Sequence, residues 1–200
     1  MKGQLRLTNG RKLESPIGDS VRPTKAVVRE AVMNIVRHKI NNSNWLDLYS
    51  GSGIMGCEAI EKGAKVVVAI ELNKRISKIC KSNLTKIATF HKHIKFIDVK
   101  NIEANKFLRS GYKNYLLNIK NKTSTSELHF DLIYIDPPYK MNSYSSILDN
   151  LLDGDWVSSK CLAICEFSIK DGIDISKRWI VKDQKKYGNT GLVFLTPTQA

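Results

Sequence analysis

The chain has 200 residues, 42% apolar and 26% charged, enough for one α/β domain with its own core and too apolar for a wholly disordered chain. Lys and Arg number 32 against 19 Asp and Glu, a net charge of +13 that favours a polyanionic partner, although lysine well in excess of arginine is also what an AT-rich genome writes. No apolar run approaches the roughly 20 residues of a membrane span and the basic N-terminus lacks a secretory apolar core, so a soluble cytoplasmic protein is expected.

In chain order, LRLTNGRKL places two short alternating runs around Asn9-Gly10 and predicts a hairpin extension within residues 1–20. A Pro/Gly/Ser loop follows. Thr24 is placed to cap a helix over about 25–38, with Val27, Val28, Ala31, Val32, Ile35 and Val36 as its apolar stripe. Residues 45–50 predict a buried strand, 51–53 a glycine turn, and about 54–62 a helix ended by Gly63. Strands are expected at 65–71, 93–98, 130–136 and 161–168. Helices are expected near 73–88, 101–109 and 143–152. Residues 110–128, polar and carrying Thr-Ser-Thr-Ser, predict a flexible insertion. WIVKDQKKYG and GLVFLTP predict a final antiparallel pair around Gly188-Asn189. Alternating strands and helices give an α/β fold. Its sheet is expected to be mostly parallel and seven-stranded, with one antiparallel C-terminal strand, in a single domain over residues 1–200.

Cys57, Cys80, Cys161 and Cys165 form no CxxC pair and the histidines complete no zinc pattern, so buried free thiols and no metal are expected. His91 and His93, in a basic connection, are expected to be solvated.

The chemistry begins at Gly51-Ser52-Gly53-Ile54-Met55-Gly56, a GxGxxG between a strand and a helix, where glycines let a ligand approach the backbone. Glu71 ends the next strand and can accept hydrogen bonds from both hydroxyls of a ribose. Together they encode an adenosine-type site, open to NAD or to S-adenosylmethionine (SAM). Asp47, inside the first strand, either caps the loop amides or faces the cationic methionine end of SAM.

Asp136-Pro137-Pro138-Tyr139, at the ligand-binding edge of the fourth strand, decides for SAM. Two prolines remove two backbone donors and leave a carboxylate, carbonyls and an aromatic ring. That acceptor-rich set suits a flat molecule bearing an NH2 group. The exocyclic nitrogen of guanine or adenine is a poor nucleophile because its lone pair is delocalised. Asp136 and the Pro137 carbonyl each accept one of its N–H bonds, and Tyr139 stacks on the base. A target base must be flipped out or already unpaired. Lys2, Arg6, Arg11, Lys12 and Lys140 are the candidate phosphate grips.

WLDLYSGSGIMGCEAI, AIELNK and DLIYIDPPY resemble the Rossmann-like class I SAM-dependent methyltransferases that methylate amino groups. GRKLESPIGDSVRPTKAVVREAVMNIV and KKYGNTGLVFL resemble the RsmD family, bacterial enzymes that modify the exocyclic N2 of a guanine in 16S ribosomal RNA. The resemblance implies a SAM pocket of Asp47, Gly51, Ser52, Gly53, Gly56 and Glu71, with Asp98 at the end of the third strand near the adenine amine. It implies that Asp136, Pro137, Pro138 and Tyr139 hold the guanine. Arg22, Thr24 and Arg29 would lie near the methionine end or the RNA. The partner would be ribosomal RNA or a small-subunit assembly particle; a monomer is the default expectation. A DNA adenine-N6 methyltransferase and a non-catalytic nucleic-acid-binding module are the competing readings. Which nucleotide is modified is not encoded legibly.

Overall fold

A computed structural model describes residues 4–16, 24–119, 128–138 and 144–198. Lys2, Arg22, Tyr139, Lys140 and residues 120–127 lie outside the described residues. The elements in order are α1 (Ala26–Val36), β1 (Asn44–Leu48), α2 (Ile54–Glu61), β2 (Val66–Ile70), α3 (Lys74–Ala88), β3 (Phe96–Lys100), α4 (Ala104–Arg109), α5 (Tyr112–Ile119), β4 (Phe130–Ile135), α6 (Tyr144–Asp153), β5 (Val157–Ser168), β6 (Trp179–Tyr187) and β7 (Thr190–Pro197).

The seven strands form one sheet in the order β3-β2-β1-β4-β5-β7-β6. β3, β2, β1, β4 and β5 run parallel, as their apolar strands and intervening helices require. β7 is antiparallel to both β5 and β6, so it alone is reversed, as expected. Tyr187 pairs with Thr190 across a two-residue turn at Gly188 and Asn189, with Gly188 at φ 60°.

Side chains alternate between two cores. One face packs Leu46, Leu48, Val68, Ile133 and Cys165 against α4, α5 and α6 around the buried Trp156. The other packs Trp45, Val67, Tyr134 and Ile164 against α1, α2, α3 and the N-terminal segment. The four cysteines are buried and free. The predicted α3 stripe of Ile76, Ile79, Cys80, Leu84 and Ile87 is buried, and Asn73 caps the helix through bonds from the Arg75 and Ile76 amides.

Several expectations are corrected. The N-terminal turn is centred on Thr8 and Asn9, not on Asn9-Gly10. The Gly10 amide donates to the Leu7 carbonyl at 2.9 Å, and Gly10 takes the left-handed φ of 85° that follows such a turn in a three-residue hairpin loop. Thr24 does not cap α1; the N-cap is Lys25, without a side-chain cap bond. The buried stripe of α1 is Val28, Arg29, Val32, Met33 and Val36, while Val27 is exposed. Within the supposed insertion, α5 buries Tyr112, Tyr115 and Ile119, whose 3- and 4-residue spacing is a helical stripe inside a polar segment. β3 begins and ends later than 93–98, which moves Asp98 from the strand end to its middle. Of the two histidines expected to be solvated, His93 is exposed, its ring 3.1 Å from the Ile60 carbonyl, whereas His91 is half-buried, 3.3 Å from the Glu61 carboxylate.

Candidate active site

The strand order reverses direction between β1 and β4, and open α/β sheets bind ligands at the carboxyl ends of the strands beside such a point. β1 ends at Leu48, and Tyr49 (φ 64°), Gly51 (φ 51°) and Gly53 (φ 77°) turn the chain into α2. Gly53 is the N-cap of α2, and a Cβ there would lie 2.7 Å from the Cys80 sulfur. Its amide donates to the Ser50 carbonyl at 2.8 Å. The Ser52 carbonyl accepts from Asn83 of α3, whose amide group also holds both backbone groups of Glu14. Gly56 is where α2 presses on Val67 and Leu84; a Cβ would come within 3.0 Å of each.

Glu71 follows β2 directly. One carboxylate oxygen accepts from the Gly51 amide at 2.9 Å and the other from the Asn73 amide at 2.7 Å. The residue thus braces the glycine turn against the start of α3. Burial raises its pKa, though the amides of Asn73, Gly51 and Leu72 pull it down. Each carboxylate oxygen keeps a second lone pair for a hydroxyl donor. Asn101, which sequence reasoning passed over, holds the Glu71 and Leu72 carbonyls at 3.0 and 2.6 Å.

Three carboxylates gather on the α1–α3 side of the strand ends. Asp47 pairs in register with Tyr134, and Ile135 with Cys165, so one further step brings Asp136 opposite Glu166. Asp47 is buried, accepts from the Gly56 amide at 3.2 Å and thus caps the helix start. Burial, only partly offset by that amide and reinforced by the charge of Glu71, pushes it up to about 8. Asp136 is held well above the usual carboxylate range by burial, then by the charges of Glu166 and Asp47. Tyr134 donates its phenol to the Glu166 carboxylate, and Tyr144 donates to the Glu166 carbonyl at 2.6 Å. Glu166 was missed from sequence, yet its signal is that of Asp47: an acid near the end of an apolar strand. Asp47 is buried and Asp136 and Glu166 are half-buried; carboxylates gathered this way repel each other, and a cation placed among them would be held. Pro137 is buried and Pro138 exposed.

Other predicted residues lie elsewhere. Asp98 is two residues short of the end of β3; it accepts from Tyr115 at 3.0 Å and pairs with Lys100 at 3.1 Å. The acid at that edge is Glu103, which caps α4 and whose charge, after burial, helps raise the Tyr49 phenol to about 12. Arg29 is buried. It pairs with Glu58 at 3.2 Å and donates to the Thr24 and Arg6 carbonyls at 2.8 Å, so its donors serve the fold. Thr24 contributes that carbonyl. Arg11 pairs with Glu61 at the end of α2, and the Lys12 carbonyl accepts from Lys86 near the end of α3. Both are most of a helix length from Glu71.

The residues present fit SAM. Glu71 has lone pairs for ribose hydroxyls, the glycines leave the turn open, and the carboxylate group suits a sulfonium. The Tyr49 hydroxyl beside the turn is buried without a hydrogen-bond partner among the described residues. No group of three or more His, Cys, Asp or Glu side chains among the described residues is placed to hold a metal, and no described helix is long and apolar enough to cross a membrane.

Sheet order, glycine turn and acid-bearing strand ends define a Rossmann-like class I SAM-dependent methyltransferase fold. A solved Escherichia coli chain described as a methyltransferase superposes with a TM-score of 0.76 over 99% of this chain and 100% of its own, at 23% identity. The chain belongs to the family described as conserved hypothetical protein 95, which matches residues 3–196. Ribosomal RNA small subunit methyltransferase D of Haemophilus influenzae is 27% identical over 191 residues, covering 94% of this chain and 91% of its own. The enzyme of that name from Buchnera aphidicola subsp. Acyrthosiphon pisum is 27% identical over 176 residues, covering 88% and 82%.

Proposed function

We propose that this protein is a SAM-dependent RNA methyltransferase acting on the exocyclic N2 of a guanine in 16S ribosomal RNA, in the cytoplasm, as a monomer and without a metal. The observation that carries the reading is Asp136-Pro137-Pro138 at the end of β4, beside Asp47 and Glu166 and across the switch point from the glycine turn. The relatives named for small-subunit ribosomal RNA supply the substrate class.

When bound, SAM supplies an electrophilic methyl on a sulfonium. Glu71 would hold the ribose hydroxyls, and Asp47 would attract the positive methionine end. Asp136, ionised, and the Pro137 carbonyl accept the two N–H bonds of the guanine amine and turn its lone pair toward the methyl. Tyr139 stacks on the base. With the methyl supplied by the cofactor's sulfonium, the amine proton would pass to Asp136 or to water. Positioning and electrostatics supply most of the rate.

The test is labelled SAM with purified protein and small-subunit particles from a strain lacking the gene, followed by nucleoside mass spectrometry. Label in N2-methylguanosine is expected. Label in N6-methyladenosine would replace this reading with the adenine enzyme. SAM binding with no label in any nucleic acid would overturn the RNA substrate.

A further inference from the structure

We propose that the outward face of α3 is the surface that grips the phosphate backbone of the RNA substrate. The inference rests on RNA being the substrate and adds where the chain holds it.

α3 is KRISKICKSNLTKIA. It carries Lys74, Arg75, Lys78, Lys81 and Lys86 and no acidic residue. All five are exposed, while Ile76, Ile79, Cys80, Leu84 and Ile87 face the core. Helical spacing therefore puts every cation of this element on its solvent side. None of the five is ion-paired among the described residues; the one polar contact of these side chains is Lys86 to the Lys12 carbonyl at 3.2 Å. From Lys74 to Lys86 the stripe is about 18 Å long at 1.5 Å per residue, with Arg75, Lys78 and Lys81 at successive steps of about 4.5 Å.

Its placement links the site to the hairpin. The N-terminal end starts at Asn73, which is bonded to Glu71, so the first cations stand at the rim of the cleft. The C-terminal end reaches Lys12. Beyond it Phe90 is 55% exposed, with the Arg11 guanidinium 4.2 Å from its ring centre. Lys12 and Arg11, the latter paired with Glu61, thus lie at the far end of the α3 stripe, not at the cleft mouth. Lysine-rich composition alone does not explain it, because the other helices carry fewer cations than the five of α3: Arg29 alone on α1, none on α2, Lys106 and Arg109 on α4, Lys113 on α5, and none on α6. An acid-free run of exposed cations is what a polyanion track requires.

The experiment measures binding of in-vitro transcribed small-subunit ribosomal RNA over a salt series, with the variant Lys78→Gln, Lys81→Gln, Lys86→Gln. A charge-matched control, Lys177→Gln, Lys182→Gln, Lys186→Gln, removes three exposed lysines at or beside the opposite sheet edge. Neutralising one cation that sits on a phosphate lowers the slope of log affinity against log salt by about 0.7–0.9. The α3 variant is expected to drop by about 2–3 in that slope and about tenfold or more in affinity at low salt, with the control unchanged. SAM affinity within twofold of the parent verifies folding. If the triple variant does not fold, Lys78→Gln and Lys81→Gln singly are each expected to lower the slope by about 0.7–0.9. An unchanged slope, or equal decreases in variant and control, would overturn the proposal. Because binding is read without methyl transfer, a reduced slope with no methylated RNA would sink the functional reading and leave this surface standing.

Discussion

Tyr134 and Glu166 are joined side chain to side chain across neighbouring strands, the phenol donating to the carboxylate that stands opposite Asp136. The hydrogen bond fixes a negative charge next to the group proposed to accept the amine hydrogens. With Asp136 held well above its ordinary value by burial and by Glu166, its ionised fraction grows as pH rises. kcat/KM is therefore expected to rise with pH through the raised pKa. Glu166→Gln removes the charge and keeps the side-chain shape, so the acid limb of the profile moves to lower pH. A limb that stays in place would show that Glu166 does not set the state of Asp136.

Asp47 makes stability and cofactor affinity depend on pH in opposite senses. Its folded pKa of about 8 is above the ordinary 3.8, so between those values the folded state binds more protons than the unfolded state. Stability from this group is present below about 4 and is lost as pH rises toward 8. Asp47→Asn preserves an acceptor for the Gly56 amide and does not titrate. The melting temperature of the ligand-free protein is expected to fall less between pH 5 and 8 in the variant. SAM affinity, which favours the ionised form, is expected to improve toward pH 8 in the parent and to improve less in the variant, where Glu71 and Asp136 still titrate. Thermal unfolding of the ligand-free protein and calorimetric titration with SAM, each at three pH values, check the two halves.

What was legible in the sequence was whatever local order writes down. The glycine turn, Glu71 and Asp136 are each adjacent to a strand end, so their placement follows from finding the strands. Asp98 was misplaced because β3 runs two residues further than its apolar letters suggest, ending in Val99-Lys100. α5 was hidden by Lys, Asn and Tyr, though Tyr112, Tyr115 and Ile119 keep a helical spacing. Arg29 and Glu58 are partners 29 positions apart, and nothing local says that an arginine on a helix is buried. Glu166 shows the same limit, since its meaning depends on β5 lying next to β4.

Glu71 and Asp136 are expected to separate binding from chemistry. Glu71→Ala removes the carboxylate that ties the Gly51 amide to the start of α3 and offers lone pairs to the ribose, so SAM affinity falls by about tenfold or more. Asp136→Ala leaves those hydrogen bonds in place. It is expected to keep SAM affinity within a few-fold while nearly abolishing transfer in single-turnover assays. Near-normal turnover in Asp136→Ala would remove that carboxylate from the mechanism.

Gly53 and Gly10 share a left-handed backbone but differ in surroundings. A Cβ at Gly53 meets the Cys80 sulfur at 2.7 Å, whereas at Gly10 nothing lies within 4 Å. Gly10→Ala is expected to cost only the conformational penalty of about 1–2 kcal/mol. Gly53→Ala adds overpacking against α3, for a total of about 2–5 kcal/mol. Urea unfolding of the pair separates the two costs, and equal destabilisation would show that α3 yields at Cys80.

The buried Arg29–Glu58 pair anchors the N-terminal segment to α2. Glu58 accepts from the Arg29 guanidinium at 3.2 Å, the Thr8 amide at 2.9 Å and the Thr8 hydroxyl at 2.8 Å, and its side chain is fully buried. Arg29→Met leaves that carboxylate without its cation and strips donors from the Thr24 and Arg6 carbonyls. Losing one partner of a buried pair costs about 3–5 kcal/mol, because the remaining charge stays desolvated. Adding Glu58→Gln removes the stranded charge and keeps an acceptor for Thr8, so the double variant is expected to be more stable than Arg29→Met alone. That reversal is what a buried ion pair predicts and a simple packing role does not. A double variant weaker than the single by the full cost of Glu58→Gln would mean that the two residues act independently.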